Sequence, residues 1–304
     1  MLRFARFLLA PLLLIVAALA GLALTSTPTS TPAVLASLGD QPLVIAHRGG
    51  RGLWPENSLF AFERANALGV DMLEMDLRRS RDGELVVIHD AKINRTTNGS
   101  GKVAELSLAE LQALDAGYRW TADGGESYPY RDQGIRIPTF AEVLARFPQK
   151  AKVVEIKVPD SGMEAQLCQL LEASGQRDRV LVGSFYDRSL QSFREVCPGV
   201  ATSAGPTSVR LLVALNWIGL GALLSPSYQA LQIPERSGSL EVASNSLLHT
   251  AQARGLNVQL WTINEQPAMR HLLDMGAQGL ITDYPDRALQ LLGRSTRVSS
   301  LSDQ

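Results

Sequence analysis

Residues 72–90 read MLEMDLRRSRDGELVVIHD, and the reading of this stretch decides the fold. Met72–Leu77 is a short apolar run carrying Glu74 and Asp76, and it reads as a β-strand. Arg81-Asp82-Gly83-Glu84 is the best turn signal in the chain, since Asp-Gly favours a two-residue type I′ hairpin. Leu85–Ile88 is then the return arm, ending at His89. Pairing Arg81 with Glu84 extends to a register in which Asp76 lies across from His89.

With Leu85–Ile88 taken as a return arm, eight strands remain: Leu43–Ala46, Met72–Leu77, Lys152–Lys157, Arg179–Ser184, Val200–Ala204, Ala230–Gln232, Asn257–Thr262 and Gly279–Thr282. Helical patterns separate most of them: Ser58–Leu68, capped by Ser58, then Leu108–Leu114, Phe140–Phe147, Met163–Ala173, Asp187–Val196, Ser208–Leu215, Ser244–Ala253, Pro267–Asp274 and Asp286–Leu292. This alternation is the pattern of an α/β protein, a (β/α)8 TIM barrel with a β-hairpin and a long loop insertion. The loop Asp115–Pro138 is rich in Gly, Tyr, Asp and Pro, and its aromatics Trp120, Tyr128 and Tyr130 argue against disorder.

The segments before and after the barrel read differently. Arg3 and Arg6 precede eighteen residues, Phe7 to Leu24, without a charge. As a helix these span roughly 27 Å, near the thickness of a bilayer core. Residues 1–24 are therefore expected to be a hydrophobic helix, either a transmembrane anchor or a signal peptide cut near Ala18-Leu19-Ala20. Both place the barrel outside the cytoplasm, anchored to the inner membrane or released after cleavage. Residues 25–42, rich in Thr, Ser and Pro, are expected to form a flexible linker, residues 43–293 the barrel, and 294–304 a disordered tail. The net charge of -1 gives no basic footprint for nucleic acid. No obligate protein partner is implied. The two cysteines, Cys168 and Cys197, lack metal-ligand spacing and read as buried free thiols, with a disulfide between them as the lesser reading.

His47, Glu74, Asp76, His89, Glu155 and Lys157 all stand at the ends of apolar runs. In a parallel barrel the functional site lies at the C-terminal strand ends, so these groups gather there. Carboxylate oxygens suit a hard cation, Mg²⁺ or Ca²⁺, and two imidazoles suit proton transfer to and from a phosphate ester. A lone Glu-X-Asp pair is usually a solvated strand edge; the added histidines and Glu155 turn the balance toward a site.

The runs Ala46-His47-Arg48-Gly49, Pro55-Glu56-Asn57-Ser58, Glu74-Met75-Asp76, Val86-Val87-Ile88-His89-Asp90, Arg95-Thr96-Thr97, Glu155-Ile156-Lys157, Trp261-Thr262-Ile263-Asn264 and Gly279–Pro285 together resemble the glycerophosphodiester phosphodiesterases. The resemblance covers residues 43–292 and departs at Ser58, where the family usually has Thr, and at Trp54 before Pro55. It implies a divalent cation on Glu74, Asp76 and Glu155, with His47 and His89 as the acid/base pair. Arg48 and Lys157 suit the non-bridging phosphate oxygens, Arg as a fork and Lys as a point charge. Glu56 and Asn57 read as caps or supporting residues, and Trp261 as core filler or a wall for the substrate. His249 and His271 read as ordinary helix residues.

The expected activity is metal-dependent hydrolysis of glycerophosphodiesters to glycerol phosphate and an alcohol. Two alternatives stand beside it: a lysophospholipase D acting on membrane lysophospholipids, and a silent barrel binding phospholipid head groups. The lysophospholipid alternative draws on the aromatic loop and on Val209–Leu224, an apolar stretch whose only charge is Arg210. That stretch is either a barrel helix with an apolar loop or a rim element at the membrane interface.

Overall fold

The computed structural model describes residue 17, residues 21–159 and residues 161–294. Eight parallel strands form its centre: β1 (Leu43–Ala46), β2 (Met72–Arg79), β4 (Ala151–Ile156), β5 (Val180–Gly183), β6 (Ala201–Thr202), β7 (Ala230–Pro234), β10 (Asn257–Trp261) and β11 (Gly279–Thr282). They hydrogen-bond in the order β6-β5-β4-β2-β1-β11-β10-β7. A parallel bridge between Ser203 and Ala230 links the two ends of this path and closes the ring. Helices Leu59–Leu68, Phe140–Arg146, Ser161–Ala173, Asp187–Val196, Pro206–Trp217, Asn245–Ala253, Gln266–Asp274 and Pro285–Leu291 follow the strands in turn. The architecture is the expected (β/α)8 TIM barrel.

Period-two alternation separates two cores. Leu43, Ile45, Met72, Ala151, Val153, Leu181, Ala201, Ala230 and Ile281 pack together inside the ring. Their neighbours Val44, Ala46, Leu73, Met75, Val154 and Val182 face the helices and join the larger core. Ser58 caps helix Leu59–Leu68 by accepting from the Ala61 N–H at 3.1 Å, as its sequence position suggests.

The hairpin exists but its register differs from expectation. β3 (Leu85–Val87) pairs antiparallel with β2 as Leu77↔Val87, Arg78↔Val86 and Arg79↔Leu85. Gly83, at φ +91°, ends a three-residue turn in which its N–H bonds the Ser80 carbonyl, and the Ser80 N–H bonds Glu84. This is a hairpin with a bulged glycine, not a two-residue type I′ turn. Asp76 therefore faces Ile88, and His89 lies one residue farther on. A second hairpin, β8 (Arg236–Ser237) with β9 (Leu240–Glu241), turns at Gly238-Ser239 and was not foreseen.

The insertion after β3 builds a small core of its own from Val86, Ile88, Ile93, Val103, Leu111, Ile135 and Ile137. Trp120 and Tyr130 meet edge to face at 4.9 Å, and Tyr130 meets Phe60 at 5.0 Å. These aromatics buttress the insertion.

Residues 25–42 are not a free linker. The Thr29 N–H bonds the Arg254 carbonyl at 2.9 Å, and the short helix Ala33–Ala36 buries Val34 and Leu35. Together with the half-buried Leu38 these close the floor of the barrel against Leu43, Met72, Ala151, Ala201 and Ala230. Gly255 sits under this strap at φ +77°, where a Cβ would run into the Thr29 backbone. At the other end Arg294 pairs with Asp71 at 2.6 Å, so the barrel packing reaches that residue. Most of the expected N-terminal helix and the tail after Arg294 lie outside the described residues. Among the described residues no helix is long and apolar enough to cross a membrane.

The cysteines also correct the sequence reading. Cys168 and Cys197 form a disulfide, with their Cα atoms 5.5 Å apart. It ties helix Ser161–Ala173 to the end of helix Asp187–Val196 and closes a loop of 29 residues. Loop entropy assigns such a cross-link about 3–4 kcal/mol. Replacing both cysteines by Ser is expected to lower unfolding free energy in urea by about that amount while sparing turnover. An unchanged urea midpoint would contradict the assignment.

Candidate active site

The alternation that fills the barrel floor with apolar side chains brings polar ones to its mouth. Inside the ring, His47 follows Leu43 and Ile45; Glu74 and Asp76 follow Met72; Glu155 and Lys157 follow Ala151 and Val153. Asp76 and Glu155 are direct partners across β2 and β4. One oxygen from each of Glu74, Asp76 and Glu155 lies within 4.8 Å of the others. Glu74 and Asp76 are buried and Glu155 half-buried. Burial, with repulsion from Asp76 and Glu155, pushes the Glu74 carboxyl well above the ordinary range. Burial and the Asp76 charge raise Glu155 likewise. For Asp76, burial is outweighed by Lys157 and Arg48, which hold its pKa below the usual value.

Two cations neutralise this cluster. The Lys157 ammonium lies 2.8 Å from Glu155 and 3.0 Å from Asp76. Arg48 sits at φ +51° in the turn after β1. Its backbone N–H donates to Glu74 at 2.6 Å, and its guanidinium donates to Glu56 at 2.8 Å. Gly49 follows at φ +83°, with its Cα so close to Ala61 and Phe62 that a Cβ would lie 2.9 Å from both side chains. That close approach fixes the turn against helix Leu59–Leu68. Glu56 also receives a two-pronged bond from Arg95, 2.7 Å on each arm. Burial opposes its charge, but Arg95 and Arg48 prevail and bring its pKa down to about 2. Glu56 is thus a holder of arginines, and it caps no helix. Asn57 donates to Asp76 at 2.8 Å and orients that carboxylate.

Each histidine is aimed by a carboxylate. His47 Nδ1 is 2.6 Å from Asp283, and His89 Nδ1 is 2.7 Å from Asp90. With Nδ1–H donating to a carboxylate, Nε2 is left for the substrate in both rings. Asp283 also accepts from Arg51 at 2.9 Å and from Asn264 at 2.9 Å. Its burial favours the neutral form, but the His47 bond and the His47 and Arg51 charges leave its pKa below the ordinary value. Asp90 accepts from Arg95 at 2.6 Å. Burial, joined by Arg48 and Lys157, lowers the His89 pKa against the pull of Asp76 and Asp90.

A cavity of about 860 Å³ opens above these groups, lined by His47, Arg48, Glu74, His89, Glu155, Lys157 and Trp261. Asp76 lies just beneath, buried. Trp261 is half-buried and serves both uses foreseen for it: it packs on the inner core and lines the cavity, meeting Phe185 at 5.6 Å. From this polar end the cavity continues as an apolar groove between helix Pro206–Trp217, through Val209, Val213 and Trp217, and the β8–β9 hairpin, through Leu240. His249 and His271 lie in outer helices, away from the cavity.

All ten residues singled out in the sequence thus converge on one mouth of the barrel. Asp283, Asp90, Arg51, Arg95, Asn264 and Phe185 were given no role there. Asp90, Arg95, Asn264 and Asp283 stood inside runs quoted for the resemblance, so a local signal was there; Arg51 and Phe185 carried none and are brought in by packing.

Comparisons with known proteins agree with this geometry. Residues 47–287 match the glycerophosphoryl diester phosphodiesterase family. A glycerophosphodiester phosphodiesterase of Bacillus subtilis (strain 168) is 32% identical over 281 residues, 84% of this chain and 90% of that protein. A lysophospholipase D of Rattus norvegicus is 26% identical, covering 82% of this chain and 85% of its own. A phosphodiesterase of Oleispira antarctica, solved with its product sn-glycerol-3-phosphate, superposes with a TM-score of 0.66 at 26% identity, over 83% of this chain and 97% of its own.

Proposed function

Because the chain belongs to the glycerophosphoryl diester phosphodiesterase family and is a phosphodiesterase of that kind, we propose that it cleaves glycerophosphodiesters to glycerol phosphate and an alcohol, with Glu74, Asp76 and Glu155 holding one divalent cation and His47 and His89 moving the protons. The observation that carries this reading is the pair of carboxylate-aimed imidazoles on one cavity with three clustered carboxylates.

The residues fit a hard cation. Their donors are all oxygen, and Asp76 Oδ1 is buried with the Lys157 ammonium, 3.0 Å away, as its charge partner. A cation bound there supplies positive charge against the phosphate as negative charge builds on it, and Mg²⁺ and Ca²⁺ both suit the ligands. One imidazole takes the proton of the attacking hydroxyl as its oxygen bonds to phosphorus. The other delivers a proton to the departing alkoxide as the second P–O bond breaks. The attacker is water or the substrate's own glycerol hydroxyl. Lys157 has three N–H donors, so one remains for a non-bridging oxygen beyond its two carboxylates. Arg48 faces the same cavity and adds a fixed positive charge. Full-length protein supplied with Mg²⁺ or Ca²⁺ is expected to convert glycerophosphocholine to equal amounts of glycerol phosphate and choline. Absence of both products under both metals would overturn the reading.

The raised pKa of Glu74 gives a pH dependence. In the metal-free fold this group stays protonated above its unfolded pKa, so N binds more protons than U. Its contribution to stability is therefore lost as pH rises from the ordinary carboxylate range toward the folded value. A cation binds the deprotonated form and reverses this trend. The gain in melting temperature on adding Ca²⁺ or Mg²⁺ to chelated protein is thus expected to be larger at pH 7.5 than at pH 5. At a concentration near one hundred times Kd it should correspond to about 2.7 kcal/mol. An equal gain at both pH values would contradict the assignment.

The apolar groove favours a second substrate class, single-chain lysophospholipids, and a relative in the family is itself a lysophospholipase D. On this reading the head-group phosphate meets the polar end and the acyl chain follows Val209, Val213 and Trp217. Lysophosphatidylcholine is expected to show a lower KM than glycerophosphocholine; no turnover of the lipid would exclude it. We place the barrel outside the cytoplasm, a reading supported by the Arg3 and Arg6 charges before Phe7–Leu24 and by the Cys168–Cys197 disulfide.

A further inference from the structure

Two long stretches of this chain contain no Asp, Glu, Lys or Arg: one between Arg6 and Asp40, the other between Arg210 and Glu235. The fold brings residues 26–27 of the first against residues 222–225 of the second. The Ser26 hydroxyl donates to the Ala222 carbonyl at 3.2 Å, and the Thr27 N–H donates to Ser225 at 3.2 Å. Arg254 clamps the same place, its guanidinium donating to Ala222 at 2.6 Å while its carbonyl receives Thr29. From there residues 30–38 run under the barrel and bury Val34 and Leu35 in its floor. The chain that follows the apolar stretch 7–24 is thus fixed to the barrel from Ser26 on, beside the turn Gly221–Leu223.

That point lies a few residues from the outer end of the groove. Trp217 is 66% exposed and Ile218 68% exposed, although both are large and apolar. Leu211, on the same helix, is 49% exposed; Leu240, across the groove from Trp217, is 42% exposed; and Leu22 and Leu24 stand exposed just before Ser26. Large apolar side chains left exposed at and near a groove mouth are unusual on a soluble face, and Trp is favoured at the headgroup level of a bilayer. Charged side chains, which lipid excludes, are missing from the two stretches that carry Leu22, Leu24, Leu211, Trp217 and Ile218; Leu240 lies outside them, on a hairpin that also carries Arg236 and Glu241.

We propose that Trp217, Ile218, Leu211 and Leu240 seat in a lipid bilayer, and that residues 26–38 act as a rigid bracket presenting this side of the barrel to the membrane that holds residues 7–24. The occupant is lipid because the chain that reaches this surface is itself an uncharged segment long enough to span a bilayer core. The bracket makes docking intramolecular: the rim is held against the lipid at high effective concentration instead of roaming on a loose tether. The groove then opens at the membrane surface. The inference concerns placement, and stands or falls apart from the reaction proposed above.

The test uses the full-length chain reconstituted into phosphatidylcholine vesicles whose acyl chains are either brominated or not. Brominated lipid is expected to quench a part of the tryptophan emission that Trp217→Phe lacks. Ile218→Asp should reduce that part. A flexible Gly/Ser insertion of about ten residues between Thr25 and Ser26 should abolish it, because the added slack uncouples rim from anchor. Equal quenching of parent and Trp217→Phe would overturn the lipid contact, as would self-association of the chain that buries Trp217 without quenching. Undiminished quenching with the insertion would overturn the bracket. Hydrolysis of soluble glycerophosphocholine by Ile218→Asp and by the insertion variant reports that each has folded. If the parent itself lacks this hydrolysis while quenching follows the expected pattern, the reaction fails and the docking stands.

Discussion

His47→Ala and His89→Ala are each expected to lower kcat by roughly 10²–10⁴-fold, the usual contribution of a positioned general acid or base. Both rings line the cavity, and each has its Nδ1 fixed by a carboxylate, Asp283 for His47 and Asp90 for His89. The loss should fall on turnover, since the cationic grip on the phosphate is proposed to come from Arg48 and Lys157, and binding of a non-hydrolysable diester should change little. The two variants should also differ from each other. A substrate whose leaving group needs no proton is expected to rescue only the chain that lacks the acid. If either variant keeps near-parental kcat, that histidine has been assigned wrongly.

Asp76→Ala is expected to remove metal binding and to lower turnover by about 10³-fold or more, the scale on which losing preorganised charge stabilisation is felt. Asp76 is the most connected of the three proposed ligands: it meets Lys157, Arg48 and Asn57 and is paired with Glu155 across the sheet. Removing one partner of a buried pair usually costs about 3–5 kcal/mol. Here the cost is offset, because Lys157 keeps Glu155, Arg48 keeps Glu56 and Glu74, and the repulsion that raises Glu74 and Glu155 is relieved. The metal-free variant should therefore melt close to the metal-free parent, yet gain nothing from added Mg²⁺ or Ca²⁺. Metal stabilisation equal to that of the parent would show that the cation sits elsewhere.

What was legible in the sequence follows from period two. Apolar residues at Leu43, Ile45, Met72, Ala151 and Val153 set the inner face, and the same step of two carries His47, Glu74, Asp76, Glu155 and Lys157 to the mouth. A local pattern of this kind survives in one dimension. The hairpin was legible in kind and wrong in register, because Asp-Gly serves a three-residue bulged turn as readily as a two-residue one, and a one-residue difference moves His89 past Asp76. The disulfide was hidden because a spacing of 29 residues says nothing of a Cα separation of 5.5 Å set by two packed helices. Residues 25–42 have the composition of a linker, and the three side chains that bind them to the floor, Val34, Leu35 and Leu38, are too few to outweigh it. Asp283 reaches His47 from 236 positions away, a contact that only the closed barrel creates.

The claim at the centre of this account is that one oxygen-liganded cation on Glu74, Asp76 and Glu155 is required for the two histidines to cleave a phosphodiester. Turnover of glycerophosphocholine by the full-length chain after exhaustive chelation, followed by titration with Mg²⁺ or Ca²⁺, tests it most directly. The expected result is no turnover in the chelated protein and recovery that saturates as a single site fills. Full turnover in the thoroughly chelated protein, unchanged by added metal, would contradict it.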